Sequence, residues 1–310
     1  MNYRHHFHAG NFADVMKHAL LVRLVAGLQR KEKGFLYLDT HAGRGSYDLA
    51  AAAQGDTLAR LPEHPQGIGR LWSRTDLSAP LAEYLGLVRQ FDREHGGGGD
   101  VPRFYPGSPW IARMRARPQD RLVLCERQPE EHELLDIAFG REKRVQVQAV
   151  DGYGAPRALL PPAERRALVL IDPPFEAQDE FARMARAVGE GLRRLPGAVM
   201  ALWYPLTERA RVDAFFAELL ALQLPPTLEL ELTVAGEQSP LKMKGCGLVV
   251  INPPWQFDGE AGEILARLAE VLAQEPGGRA KCRWLVPEYG DRPRAIKRRG
   301  RMTPPMASLP

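Results

Sequence analysis

Five short apolar runs, each long enough for one strand, alternate in this chain with segments whose apolar residues recur at helical spacing. The runs are "FLYLD" (35–39), "RLVLCE" (121–126), "VQVQAVD" (145–151), "ALVLID" (167–172) and "AVMALWY" (198–204), with helical patterns around 129–139, 177–195 and 207–223. Strand and helix in alternation predict a parallel, doubly wound α/β sheet that binds its ligands at the carboxyl ends of the strands. Two later runs, "TLELELTVA" (227–235) and "GLVVIN" (247–252), flank a turn with Gly236 and Pro240 and predict an antiparallel finish. Seven strands result. Ahead of them, Val15, Ala19, Val22 and Leu28 mark an amphipathic helix over 13–30, with Asn11 as its N-cap.

One interval breaks the alternation. Between the Gly-rich turn at 42–45 and "YPGSP" at 105–109 no strand is evident, while 79–93 reads as helix and "GGGG" at 96–99 as a flexible turn. A structureless loop of that length is improbable inside a compact domain, so an inserted helical subdomain over about 48–104 is expected. The rest of 1–288 then forms a single domain.

Composition narrows the class. With 310 residues, 45% of them hydrophobic, the chain can bury a sizeable core. Cys125, Cys246 and Cys282 are odd in number, far apart and never in CxxC spacing, so neither a disulfide framework nor a thiolate zinc site is indicated, and a reducing cytoplasm is expected. No apolar run suits a membrane span or a signal peptide. The formal charge is +4, but the segment from Asp291 onward holds six Lys or Arg against one acid, which leaves the body at −1. That basic tail, 289–310, reads as disordered, and such arms either solubilise or hold polyanions through counterion release.

Three sequence features carry chemistry. "FLYLD" runs from Asp39 into "THAGRGSYD", where Gly43 and Gly45 form a tight turn that lets backbone N–H groups approach a ligand. Glu126 closes the next strand, where a carboxylate can accept from ribose hydroxyls, and Asp151 closes the one after, where it can accept from an adenine amine. The order of Gly turn, acid and acid reads as an adenosyl-bearing cofactor. The most specific motif is "LVLIDPPFE" (168–176): Pro173 and Pro174 end the ladder and expose the Asp172 carboxylate, the Pro173 carbonyl and the Phe175 ring together. Two acceptors can take both hydrogens of a planar exocyclic amine while the ring stacks on the base. A second copy of the pattern, "LVVINPPWQ" (248–256) with Asn252 and Trp255, sits on the last strand, so Asp172 is the preferred acid.

These motifs carry a resemblance. "YRHHFHAGNFADVMKH", "LYLDTHAGRGSYDL", "YPGSPWIA", "LIDPPFE", "ALWYP" and "VINPPW" together resemble, in order and over about residues 1–288, the RlmJ family of bacterial 23S ribosomal RNA adenine-N6 methyltransferases. The resemblance implies a Rossmann-like class I methyltransferase fold with an inserted helical subdomain, S-adenosylmethionine as cofactor, 23S ribosomal RNA as partner and a monomer. It places methionyl-side contacts on His18, His41 and Ser108, the ribose acid on Glu126, the adenine-side pair on Asp151 and Gly152, and the catalytic acid on Asp172. Asp39 and Gly43 complete the cofactor turn. Tyr3 matches a residue that meets the RNA, and Arg4, His5 and His6 are grouped with it. The family usually has Tyr where this chain has Phe175, which keeps the stack and loses a hydroxyl.

The resemblance also accounts for the crowded opening "FHAGNFADVMKH" (7–18). A segment preceding the first strand can fold over the cofactor pocket and bring Lys17 or His18 to the methionine carboxylate. Zinc is the rival explanation of the histidines, but "HHFH" lacks a fourth ligand at a known spacing, so no metal is expected. The alternatives to adenine-N6 methylation are guanine-N2 methylation of ribosomal RNA and a non-catalytic RNA-binding assembly factor.

Overall fold

In the computed structural model, which describes residues 7–53 and 61–288, α1 (Phe12–Gln29) leads into β1 (Leu36–Asp39). Asn11 caps the helix as expected: its side-chain oxygen accepts from the Ala13 N–H at 2.9 Å and the Asp14 N–H at 3.0 Å. The helix is not amphipathic in use. Asp14, Lys17 and His18 are buried along with the apolar residues, because the polar groups turn inward to the site and neighbouring helices cover the rest.

The sheet has eight strands, one more than the sequence predicts. β1 is followed by β4 (Arg121–Cys125), β5 (Val145–Gln148), β6 (Ala167–Ile171), β7 (Val199–Pro205), β8 (Thr227–Thr233), β9 (Gly245–Ile251) and β10 (Arg279–Val286), in the spatial order β10-β8-β9-β7-β6-β1-β4-β5. The stretch from β7 to β5 is parallel, whereas β9, β8 and β10 finish it antiparallel. β10 is hard to see in sequence because its apolar part, Trp284 to Val286, is short and follows a charged stretch whose Lys281 and Arg283 pair with Glu229, which is fully buried on β8.

From β1 the chain runs outward on one side through β4 to β5, and on the other through β6 to β7. This makes the gap between β1 and β6 the topological switch point, where open α/β sheets bind ligands. Helices cover both faces. α1, α4 (Ala79–Glu94), α5 (Ser108–Arg115), α6 (Pro129–Phe139) and α10 (Phe257–Val271) contribute to one apolar core, while α7 (Ala155–Leu159), α8 (Glu180–Arg194) and α9 (Arg209–Ala221) contribute to the other.

The interval after β1 is helical, with α2 (Leu49–Ala53), α3 (Ile68–Trp72) and α4, but it also contains strand. β2 (Ser46–Asp48) pairs antiparallel with β3 (Phe104–Pro106), so the interval leaves and re-enters the fold through one short ladder. Three residues per strand leave too little periodicity to find in sequence.

Candidate active site

Asp172 emerges where β6 ends at the switch point. The two prolines after it donate no N–H, so the chain leaves the ladder, and Phe175 then takes a left-handed backbone at φ 53°. A bulky residue in that region is strained, and such strain concentrates at functional turns. The Asp172 side chain is 14% exposed, and its Oδ2 accepts from Lys17 Nζ at 2.5 Å. The same ammonium reaches Asp14 Oδ1 at 2.8 Å, and Asp14 Oδ2 in turn accepts from the Gly10 N–H at 3.0 Å. Burial alone would lower the Lys17 pKa. Asp14 and Asp172 outweigh it, and the pKa stands well above its ordinary value.

Lys17 is therefore built into the acid site rather than held out in the open. From sequence, Lys17 or His18 is expected at a methionine carboxylate; the pairing of Lys17 with Asp172 emerges only in the fold. His18 lies one residue on and shares its Nδ1 with Tyr105 Oη at 2.8 Å, which meets Tyr84 Oη at 2.9 Å.

Asp39 ends β1 beside the switch point and is fully buried. Its Oδ2 accepts from Ser108 Oγ at 2.7 Å and Tyr37 Oη at 2.8 Å, and Oδ1 from the His41 N–H at 3.3 Å. Burial pushes its pKa up to about 6, against the pull of the two hydroxyls. His41 is lowered to about 4 by burial, with Asp151 opposing and Arg183 adding to the shift. The turn beyond needs glycine: Gly43 and Gly45 have φ of 59° and 83°.

Glu126 follows β4 and faces this turn, its Oε2 accepting from the Gly43 N–H at 2.9 Å and Oε1 from the Gln128 N–H at 2.7 Å. Each carboxylate oxygen keeps a second lone pair for a ligand hydroxyl. After β5, Gly152 packs so tightly that a Cβ would lie 1.7 Å from the Thr40 carbonyl oxygen. Asp151 is engaged too, by Arg183 at 2.5 Å and by Arg127 at 3.9 Å. Arg183 also lies over the Tyr153 ring at 4.1 Å, and that ring meets His41 edge-on at 4.8 Å. Tyr153 and Arg183 join this cluster without a sequence signal beyond the position of Tyr153, next but one to Asp151.

Phe175 leans on an aromatic wall, with Phe181 at 5.0 Å and Trp203 of β7 at 5.7 Å between ring centroids. The Trp203 indole Nε1 is buried and has no hydrogen-bond partner among the described residues. The second proline motif is elsewhere. β9 runs antiparallel, so Asn252 lies at the opposite edge of the sheet, where its side-chain amide donates to the carbonyls of Pro196 at 2.8 Å and Ala198 at 2.9 Å.

Tyr3, Arg4, His5, His6 and the tail from 289 lie outside the described residues. Among the described residues no cluster of His, Cys, Asp and Glu has metal-binding geometry, and no helix is long and apolar enough to cross a membrane.

Residues 32–286 match the family model described as "RsmJ: Ribosomal RNA large subunit methyltransferase D, RlmJ". The chain belongs to the RlmJ family. Two relatives named "Ribosomal RNA large subunit methyltransferase J" agree: that of Escherichia coli (strain K12) is 38% identical and that of Haemophilus influenzae (Rd) 40% identical, each over 288 residues that span 93% of this chain and all of the relative. Among solved structures, protein LPL1258 from Legionella pneumophila superposes with a TM-score of 0.79 at 34% identity, covering 89% of this chain and 98% of its own. The family match spans the segment that contains Asp39, Ser108, Glu126, Asp151, Asp172 and Phe175.

Proposed function

We propose that this RlmJ-family enzyme transfers a methyl group from S-adenosylmethionine to the exocyclic N6 of an adenine in 23S ribosomal RNA. The observation that carries this reading is the Asp172-Pro173-Pro174-Phe175 turn at the switch point, with its acid held by a buried lysine.

The residues present fit the cofactor. Glu126 offers a carboxylate at the mouth of the Gly turn for the ribose, Gly152 lets the adenine-side turn close against the Thr40 carbonyl, and Asp39, Ser108, His41 and His18 supply the polar end. When bound, the cofactor supplies an electrophilic sulfonium methyl and needs no metal. The chain's own work is alignment. Asp172 and the Pro173 carbonyl take the two N–H bonds of the acceptor amine and turn its lone pair toward the methyl, while Phe175 stacks on the base and Trp203 supports that ring. Lys17 fixes the Asp172 carboxylate, so the group facing the positive charge that develops on the amine is already oriented. A base buried in a helix cannot reach such a pocket, so the target adenine is unstacked or lies in a loop.

Nucleoside mass spectrometry of unmodified 23S RNA, incubated with the enzyme and isotopically labelled S-adenosylmethionine, tests the reading. Label in N6-methyladenosine supports it. Label in N2-methylguanosine overturns the choice of base, and no label in RNA overturns the reading as a whole.

A further inference from the structure

The edge of the sheet opposite the catalytic pocket has a charge pattern that the methyl transfer does not use. Each parallel strand is entered through a short basic segment. Lys31 and Lys33 precede β1, and Arg115 and Arg117 precede β4. Lys143 and Arg144 precede β5, Arg165 and Arg166 precede β6, and Arg193 and Arg194 close α8 ahead of β7. The segments 30–34, 113–121, 141–144, 164–166 and 193–197 together hold fourteen Lys or Arg and four Asp or Glu, in a chain whose formal charge is only +4.

Register puts these segments side by side. Leu36 at the start of β1 pairs with Arg121 of β4 and Ala167 of β6; Leu122 pairs with Val145, and Leu168 with Val199. Five adjacent strand starts at about 4.8 Å spacing make a basic ridge roughly 19 Å long. The ridge is held firm: Arg117 donates to the carbonyls of Gln29 at 3.1 Å and Lys31 at 3.0 Å, and Arg166 to those of Leu28 at 2.6 Å and Lys33. Lys31, Lys33, Lys143, Arg144 and Arg165 are exposed there and form no ion pair among the described residues.

Two further features share this edge. Because β9 runs antiparallel to β7, the turn after it opens here, and Trp255 projects from that turn 70% exposed, with its carbonyl held by Arg30. Because β10 runs antiparallel to β8, with Arg279 opposite Thr233 and Val286 opposite Thr227, the chain also leaves the sheet at this edge.

We propose that this basic edge is a second RNA-binding surface that grips the phosphates of RNA flanking the target, with Trp255 stacking on an unpaired base. The inference rests on RNA as the acceptor. Charge complementarity selects the partner: a line of guanidinium and ammonium groups matches successive phosphates, and an exposed indole beside it matches a base face of any sequence. The surface positions the RNA and leaves the choice of adenine to the pocket at the opposite edge.

The test uses full-length protein and two probes: unmodified 23S RNA, and poly(U), which contains no adenine to accept a methyl group. In Lys31→Glu/Lys33→Glu/Lys143→Glu, the slope of log affinity for poly(U) against log salt should become shallower by about two, because each lost phosphate contact on a single strand removes about 0.7. KM for 23S RNA should rise about tenfold or more by the same loss of contacts, with kcat within about twofold of the parent. Trp255→Ala should weaken poly(U) binding at least about fivefold with the salt slope unchanged, since it removes stacking and no charge. An unchanged poly(U) slope in the triple variant overturns the proposal whatever happens to KM. If the slope falls as predicted in the triple variant while the parent methylates no RNA, the adenine-N6 reading is removed and this surface stands.

Discussion

Lys17 Nζ lies 2.5 Å from Asp172 Oδ2 and 2.8 Å from Asp14 Oδ1, so one buried cation joins two carboxylates, one of them 155 residues away. The contact ties α1 to the turn after β6, and it makes the helix that precedes the first strand part of the acid site. Lys17→Met leaves both acids without their shared cation. Breaking a buried pair in this way costs about 3–5 kcal/mol, which urea unfolding measures. Turnover should fall as well, because Asp172 loses the group that orients it.

Glu126 is predicted to act on cofactor affinity alone. Its two oxygens are fixed by the N–H groups of Gly43 and Gln128, so the carboxylate is aimed before any ligand arrives. Glu126→Ala should weaken S-adenosylmethionine binding by about tenfold to a hundredfold, as expected when hydrogen bonds to a charged group are lost. Calorimetry reads this directly, and an unchanged Kd would remove the ribose role.

Phe175→Ala keeps the two acceptors for the amine and removes the stacking face. KM for RNA should rise at least about fivefold, in line with the usual worth of a base–aromatic stack. The cofactor Kd should not move. Phe175→Tyr keeps the ring and should stay close to the parent; a loss as large as that of the alanine variant would mean the ring's shape, not its stack, is what matters.

Two shifted groups at the end of β1 and in the turn after it predict opposite responses of stability to acid. Asp39 has its pKa raised to about 6, so the folded state holds its proton more tightly than the unfolded chain, and stability is gained as pH falls from about 6 toward 4. His41 is lowered to about 4 by burial, so the unfolded chain takes up its proton first, and stability is lost as pH falls from about 6.5 toward 4. Each effect is on the order of 3 kcal/mol and they oppose one another. Urea midpoints at several pH values should show His41→Gln gaining on the parent as the medium is acidified, and Asp39→Asn falling behind it. Parallel curves for all three proteins would contradict both assignments.

The fold was legible in sequence wherever burial is one-sided in composition. β1, β4, β6 and β7 are apolar runs because they are covered on both faces, and the alternating "TLELELT" of β8 announces one apolar and one polar face. β10 was hidden because its first five residues are mostly polar, with Lys281 and Arg283 meeting Glu229, and its apolar part, Trp284 to Val286, is too short to read as a strand. Helix α1 misled for a related reason: its polar residues look like a solvent face but line the site. Within the candidate site, the positions of the turn residues and strand-end acids were legible because each stands at a predictable place in its own segment. The partners of those acids could not. Lys17 to Asp172 and Arg183 to Asp151 depend on how separate elements pack, which local spacing does not encode.

The central claim is that Asp172, held by Lys17, is the acid that orders the acceptor amine. Single-turnover methyl transfer to unmodified 23S RNA, measured for the parent and Asp172→Asn alongside the S-adenosylmethionine Kd of each, tests it most directly. The account predicts a rate lower by about a hundredfold or more, as for loss of one preorganised polar group in a reacting site, with the cofactor Kd within about threefold of the parent. A variant that methylates at the parent rate, or one that loses rate only because it no longer binds the cofactor, would contradict it.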